Sequence, residues 1–134
     1  MKKIIIGLFV AAIFFLIIFL VFKKSQLPTS FSRYIIDGQM YHLLTARNPI
    51  QWTKGLMYYK DKNELNGADG MIFIFPTKTV QSFWNKNTYV DLDIYWMDGD
   101  NIVEKSYLPS ILKSKEIVVV NSGQKVDRVV EVIR

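Results

Sequence analysis

Nineteen consecutive residues, Ile4 through Phe22, carry neither a charge nor a polar side chain. As a helix rising ~1.5 Å per residue, the run spans roughly 28 Å, close to the ~30 Å hydrocarbon core of a bilayer. Sixteen of the nineteen are Ile, Leu, Phe or Val, and each favours insertion by about 0.3–0.6 kcal/mol near the helix centre. Lys2 and Lys3 flank one end, Lys23 and Lys24 the other, where their stems can reach the headgroups. A core helix apolar on every face would need a larger surrounding core than the rest of the chain supplies. The run therefore predicts one transmembrane helix, with the lipid bilayer as the partner of residues 4–22.

A cleaved export signal would have a shorter apolar region and small residues before the cut. Here the run ends in Val21-Phe22-Lys23-Lys24-Ser25-Gln26, so an uncleaved anchor is expected. With no cysteine in the chain, lipoprotein attachment, thiol catalysis, disulfides and cysteine-based zinc sites are excluded. The lysine pairs nearly balance across the run, and the free amine beside Lys2 and Lys3 favours an inside N-terminus. This places the remainder outside the cytoplasmic membrane, as a single-pass protein.

Most of the formal charge of +5 belongs to the anchor's flanks. Setting aside the four flanking lysines leaves thirteen basic residues against twelve acidic ones, so the domain has no electrostatic footprint for nucleic acid. His42 is the sole histidine, which rules out a two-histidine metal motif within one chain, and no phosphate-cradling glycine loop occurs. No cofactor is implied.

Residues 1–24 read as the anchor, 25–33 as a Pro28-bearing linker, and 34–134 as one small domain. Tyr34–Ile36 and Met40–Thr45 pattern as strands joined by Asp37-Gly38. Asn48 can cap a helix that has Pro49 at its first position and Gln51 three residues after the cap; Gly55 can end it in a left-handed conformation. Residues 59–69 read as a loop. Met71–Phe75, apolar on both faces, fits a central strand, and Thr79–Trp84 a second, followed by a polar turn at residues 85–88. Asp91–Met97 alternates, with Leu92, Ile94 and Trp96 on one face and Asp93, Tyr95 and Met97 on the other. A hairpin at Asp98-Gly99-Asp100-Asn101 leads to Ile102–Leu108. Glu116–Val120, a turn at Asn121-Ser122-Gly123, and Arg128–Ile133 complete the pattern. The expected fold class is all-β, a small β-sandwich or partly closed barrel with one short helix, preceded by the transmembrane helix.

Four blocks stand in order: Lys54-Gly55-Leu56-Met57, Gly70-Met71-Ile72-Phe73-Ile74-Phe75, Ser82-Phe83-Trp84-Asn85-Lys86-Asn87-Thr88, and Leu92-Asp93-Ile94. In this the chain resembles the bacterial and archaeal family called domain of unknown function 192, over roughly Ile35 to Ile133. Two departures stand out. Asn85 occupies a position where the family usually has Met, and the chain stops at Arg134 where the family often continues to a glycine-containing tail, so a shortened closing edge is expected. The resemblance implies a compact, mostly β domain, frequently exported or membrane-attached, and no particular reaction.

The richest polar constellation is Lys86, Asn87 and Thr88 in a turn, with Asp93 a few residues on. If the strands flanking that turn pair, Asp93 can accept hydrogen bonds from Asn87, Thr88 or backbone N–H groups. Such residues commonly do no more than lock a tight connection. As a site, they would form a ligand pocket rimmed by Lys86, Asn87 and Asp93 and floored by Phe83, Trp84 and Tyr95, suited to sugars and other amphipathic ligands. Asp91 with Asp93 could imitate a glycosidase carboxylate pair. Asp98-x-Asp100-Asn101 fails as a calcium loop, with Val103 where Gly is needed and Pro109 where the bidentate Glu belongs. His42, Tyr58 and Tyr59 read as packing residues. The functional expectation is a non-catalytic binding module at the cell envelope, using Phe83, Trp84, Lys86, Asn87 and Asp93 to bind a small envelope ligand or a membrane protein. The alternatives are an envelope saccharide hydrolase or transferase working through Asp93, and a structural subunit of a membrane complex.

Overall fold

The computed structural model describes residues 30–134 and, ahead of them, only Ile13 and Leu16. Apart from those two positions, the expected membrane span at residues 4–22 lies outside the described residues, as does most of the expected linker. Among the described residues no helix is long and apolar enough to cross a membrane.

Six strands form one sheet: β1 (Phe31–Ile36), β2 (Gln39–Ala46), β3 (Gly70–Trp84), β4 (Leu92–Asp98), β5 (Asn101–Leu108) and β6 (Val119–Ile133). Their spatial order is β1-β2-β3-β6-β4-β5. The chain is thus mostly β with short helices, as its patterning predicts. Neighbours are antiparallel except β2 and β3. A parallel pair needs a crossover of a dozen residues or more, and residues 47–69 supply it, carrying α1 (Pro49–Lys54) and a 3-10 turn at Lys62–Leu65. A helix absent from the sequence reading, α2 (Ile111–Ser114), lies between β5 and β6.

The Asn48 carboxamide accepts from the Gln51 N–H at 3.0 Å, and Gln51 Oε1 accepts from the Arg47 N–H at 2.8 Å, fixing the start of α1. β1 begins within the expected linker: Phe31 is in register with Leu44, and the Thr45 N–H donates to the Ser30 carbonyl. The polar alternation of this edge strand disguises it as tether.

What sequence patterning takes for two strands, Met71–Phe75 and Thr79–Trp84, is one strand folded over. Straight, the ten residues from Phe73 to Phe83 would hold their side chains roughly 33 Å apart. Their rings instead meet edge-on with centroids 4.8 Å apart. Register breaks between Ile74 and Thr79 and between Val80 and Ser82 accommodate the fold-back, and Pro76, which cannot donate to a ladder, falls in the first. Where the second break disturbs the ladder, the Gln81 N–H donates to the Ser122 hydroxyl at 3.1 Å. Strand β6 bends alongside, so the expected turn at residues 121–123 is an irregularity inside it.

This doubling creates a core on one face of the sheet, where Leu56 and Leu65 of the crossover and Phe83 of the folded ribbon cover Phe73, Leu92, Ile94, Trp96 and Val129. The opposite face gathers Ile36, Leu43, Ile72, Tyr95, Met97 and Val130. On that side the sheet curls enough for Tyr41 of β2 to hydrogen-bond Tyr95 of β4; burial, followed by that bond, pushes the Tyr41 hydroxyl up to about 12.

Candidate functional site

Strand β6 carries two acidic residues: Asp127, which accepts from the Gly99 N–H at 2.8 Å, and Glu131, on the face it shares with Val129 and Ile133. Its cross-strand neighbours are Met71 of β3 and Ile94 of β4, both core residues, so the carboxyl projects into the larger hydrophobic cluster. Glu131 is only 4% exposed. The Leu56 backbone N–H bonds the carboxyl, whereas among the described residues no group hydrogen-bonds its Oε2 atom. Desolvation dominates, and it raises the carboxyl from 4.5 to about 8 despite the opposing bond from Leu56. Glu131 is therefore a neutral acid at pH 7.

Two glycines fit closely around it. A Cβ on Gly70 would stand 1.8 Å from the Glu131 carbonyl oxygen, so only glycine lets β3 pass here. A Cβ on Gly55 would stand 3.2 Å from the Phe73 ring and 3.6 Å from Glu131 Oε2. Gly55 also has φ 46° and ψ −132°, a conformation essentially closed to other residues and distinct from the left-handed cap expected there. Its N–H still closes the helix on the Gln51 carbonyl at 2.9 Å.

Glu131 lines a cavity of about 30 Å³, together with Trp52, Gly55, Phe73, Phe83, Trp84 and Thr88 among others. It shares Trp52, Thr53, Phe83 and Trp84 with an open groove of about 490 Å³ between α1 and the folded part of β3. Thr77, Thr79, Gln81 and Ser82 supply that groove's remaining polar groups, and no charged side chain lines it. Trp52 is held by its indole N–H on the Ala46 carbonyl at 3.2 Å and by the Phe75 ring at 5.1 Å.

The turn after β3 is tied to the segment after α1. Tyr58 and Asn87 both have positive φ; the Tyr58 N–H donates to the Asn87 carbonyl at 2.8 Å, and Asn87 Nδ2 donates to the Tyr58 hydroxyl at 2.8 Å. Asn85 is wholly buried. Its Nδ2 group donates to the Pro109 carbonyl and the Ser114 hydroxyl, and its Oδ1 accepts from the Val118 N–H at 2.8 Å. The departure from the family's usual Met is thus a polar clasp on the segment that contains α2.

The expected patch divides. Phe83, Trp84, Lys86 and Asn87 lie together, with the Lys86 ammonium 5.1 Å from the centre of the Trp84 ring. Asp93 does not join them. The strands flanking the turn do not pair, because β6 runs between β3 and β4, and strand alternation puts Asp93 and Tyr95 on the opposite face from Phe83. Asp93 instead pairs with Lys105 at 3.7 Å and Arg134 at 3.5 Å, while Asn87 bonds Tyr58. Nor do Asp91 and Asp93 act as a carboxylate pair. Asp91 accepts from the Ser110 N–H, the Tyr107 hydroxyl and Lys113, and these, the backbone bond foremost, hold it down to about 2, far from the range of a general acid. Asp98 and Asp100 are paired with Lys78 and Arg128. Among the described residues, no group of three or more His, Asp or Glu side chains could hold a metal ion.

Glu131 is the residue that motif reasoning passes over. Its signal is one charge in the core-facing register of Val129-Val130-Glu131-Val132-Ile133, where alternation demands an apolar side chain.

Residues 33–134 match the family DUF192, described as Uncharacterized ACR, and the chain belongs to that family. Two crystal structures share its fold. One is a Sinorhizobium meliloti protein described provisionally as a transcription regulator; it has a TM-score of 0.59 and 24% identity over 78% of this chain and 83% of that one. The other is a Novosphingobium aromaticivorans protein described as of unknown function, with a TM-score of 0.56 and 18% identity over 81% of this chain and 84% of that one. No curated protein matches the chain.

Proposed function

We propose that this DUF192 member is a membrane-anchored binding module whose recognition surface is the groove between α1 and the folded part of β3. The carrying observation is convergence: Gly55, Phe73, Phe83, Trp84 and Thr88, drawn from three of the four sequence blocks, wall one cavity at the groove's edge. An uncharged groove lined by aromatic rings, threonines and a glutamine suits a neutral or amphipathic body such as a saccharide. Trp84, 44% exposed and stacked by Lys86, is its outer wall. The apolar run at residues 4–22, with lysines at both ends, supports an anchor in the cytoplasmic membrane and a domain on its outer side. Asp93 drops out of the recognition patch, and with its cationic partners in place it gives little support to a hydrolase reading.

The test is a thermal-shift screen of the full-length chain in detergent micelles against cell-wall saccharides, lipid headgroups, amino acids and nucleotides. A ligand at a hundred times its dissociation constant adds ~2.7 kcal/mol of stability, which for a domain of this size raises Tm by roughly 10 °C. Trp84→Ala should abolish the shift with little change in the unliganded Tm. A ligand whose shift survives Trp84→Ala would place recognition elsewhere, and silence across the panel from a folded protein would favour a membrane protein partner.

A further inference from the structure

The small cavity beside Glu131 has features that the groove alone does not explain. Glu131 lines it, and the Oε2 atom of that side chain is buried and has no hydrogen-bond partner among the described residues. Its volume of about 30 Å³ admits one group the size of a water molecule or an ammonium. The rings of Trp52, Phe73, Phe83 and Trp84 form its walls, and aromatic faces attract cations, most strongly where water is excluded. Gly55 leaves Oε2 uncovered from its own side, since any side chain there would begin 3.6 Å from that atom.

We propose that Glu131 receives the primary ammonium group of a ligand whose body lies in the adjoining groove. This deepens the binding-module reading and rests on it. A ligand carboxylate or phosphate would bring a second acid beside Glu131, whereas the ammonium of Lys54, a residue that also lines the cavity, lies over the Tyr59 ring at 5.3 Å. A quaternary ammonium exceeds the cavity, whereas a primary one matches it and can donate to Oε2. The same hydrophobic cluster holds one other titratable side chain, Tyr59, itself raised by burial and then by Glu64. The strands on either side present only Met71, Phe73 and Ile94.

The charge balance is explicit. Before binding, Glu131 holds a proton at neutral pH; on binding, that proton leaves to solvent and the carboxylate pairs with the incoming ammonium. One proton is released per ligand, and affinity should improve about tenfold per pH unit up to about 8. A neutral ligand accepting from the acid's O–H would show the reverse, weakening as pH rises past that point.

The experiment titrates the full-length chain in micelles with n-butylamine, and with 1-butanol as its uncharged counterpart, while following the Gly55 and Leu56 amide resonances. The expected result is a saturable shift with butylamine that tightens about tenfold per pH unit between pH 5.5 and 7.5, with butanol at least tenfold weaker. Glu131→Gln keeps the shape and folds, and should lose that binding tenfold or more along with its pH dependence. Equal binding of the two probes, a flat pH profile, unchanged binding by Glu131→Gln, or no response to either probe would overturn the proposal. Failure here is separable from failure of the binding module: an envelope ligand lost on Trp84→Ala but unaffected by Glu131→Gln would keep the groove and discard the amine site.

Discussion

A carboxyl that is neutral in the folded protein and ionised in the unfolded one makes stability fall as pH rises. For Glu131 the unfolded chain releases its proton near 4.5, and the native protein holds it until about 8. Between those values the native state binds more protons, so unfolding becomes easier with increasing pH, by at most about 1.4 kcal/mol per unit. Below 4.5 both states are protonated and above 8 both are ionised, so the contribution is flat outside the window. Across it the loss is on the order of 5 kcal/mol, a large part of the margin of a small domain. Glu131→Gln removes the titration while keeping the side chain's shape. Its absolute stability is a poor readout, because the new amide N–H group needs an acceptor and lacking one costs about 1–3 kcal/mol. The slope is the clean one. Urea unfolding of both full-length proteins in micelles, followed by tryptophan fluorescence from pH 5 to 8, should show the wild-type midpoint falling by roughly 0.5–1 M per pH unit relative to the variant. All other groups titrate in both proteins and cancel in the difference. Parallel profiles would show that Glu131 ionises in the fold, and would refute the reasoning that makes it a neutral buried acid.

Gly70→Ala forces a methyl group onto the Glu131 carbonyl and should cost about 3 kcal/mol or more, read as a collapse of the urea midpoint. Asn85→Met installs the residue usual in the family but orphans the Val118 N–H and releases the segment around α2. A loss of about 3 kcal/mol is expected, with hydrogen exchange accelerating first at residues 110–118. Asp91→Asn acts at the acid end. Because the Asp91 carboxyl is held down to about 2, its stabilisation is present above its ordinary value of 3.8 and is lost as pH falls through about 2. The variant should be weaker than wild type at neutral pH and converge with it near pH 2; a constant gap over that range would count against the assignment.

Short-range chemistry was readable in the chain, and long-range folding was not. The α1 cap, the Asp37-Gly38 turn and the faces of β4 follow from rules spanning a few residues, and each is found where those rules put it. The continuity of β3 was not readable, because Pro76 and the polar run after it look like a strand end, whereas they are the bend of a ribbon that stays paired to β6. The misplacement of Asp93 follows directly. Proximity in sequence suggested that the strands around the 85–88 turn were hairpin partners, and strand order is a global property that local turn chemistry does not encode. The patch kept its aromatic half and lost its acid.

The acid that takes Asp93's place reaches the aromatic residues by a route no local pattern contains. Phe83 closes over Phe73 only because the ribbon folds back, and that closure turns Glu131 from a residue on a half-covered sheet into one sealed under α1 and the ribbon. The two glycines then acquire a common reason: Gly70 lets β3 approach the backbone of Glu131, and Gly55 keeps side-chain atoms away from its carboxyl. A purely structural role needs only an acceptor for the Leu56 N–H, which a neutral amide would supply without desolvating an ionisable group. Asn85 is the instructive contrast: equally buried, it spends both ends of its amide on protein partners and so explains itself as a clasp. Glu131 satisfies the Leu56 N–H with its carboxyl and leaves Oε2 without a hydrogen-bond partner among the described residues, so the structural bond uses only part of the group and a donor entering from the groove would complete it.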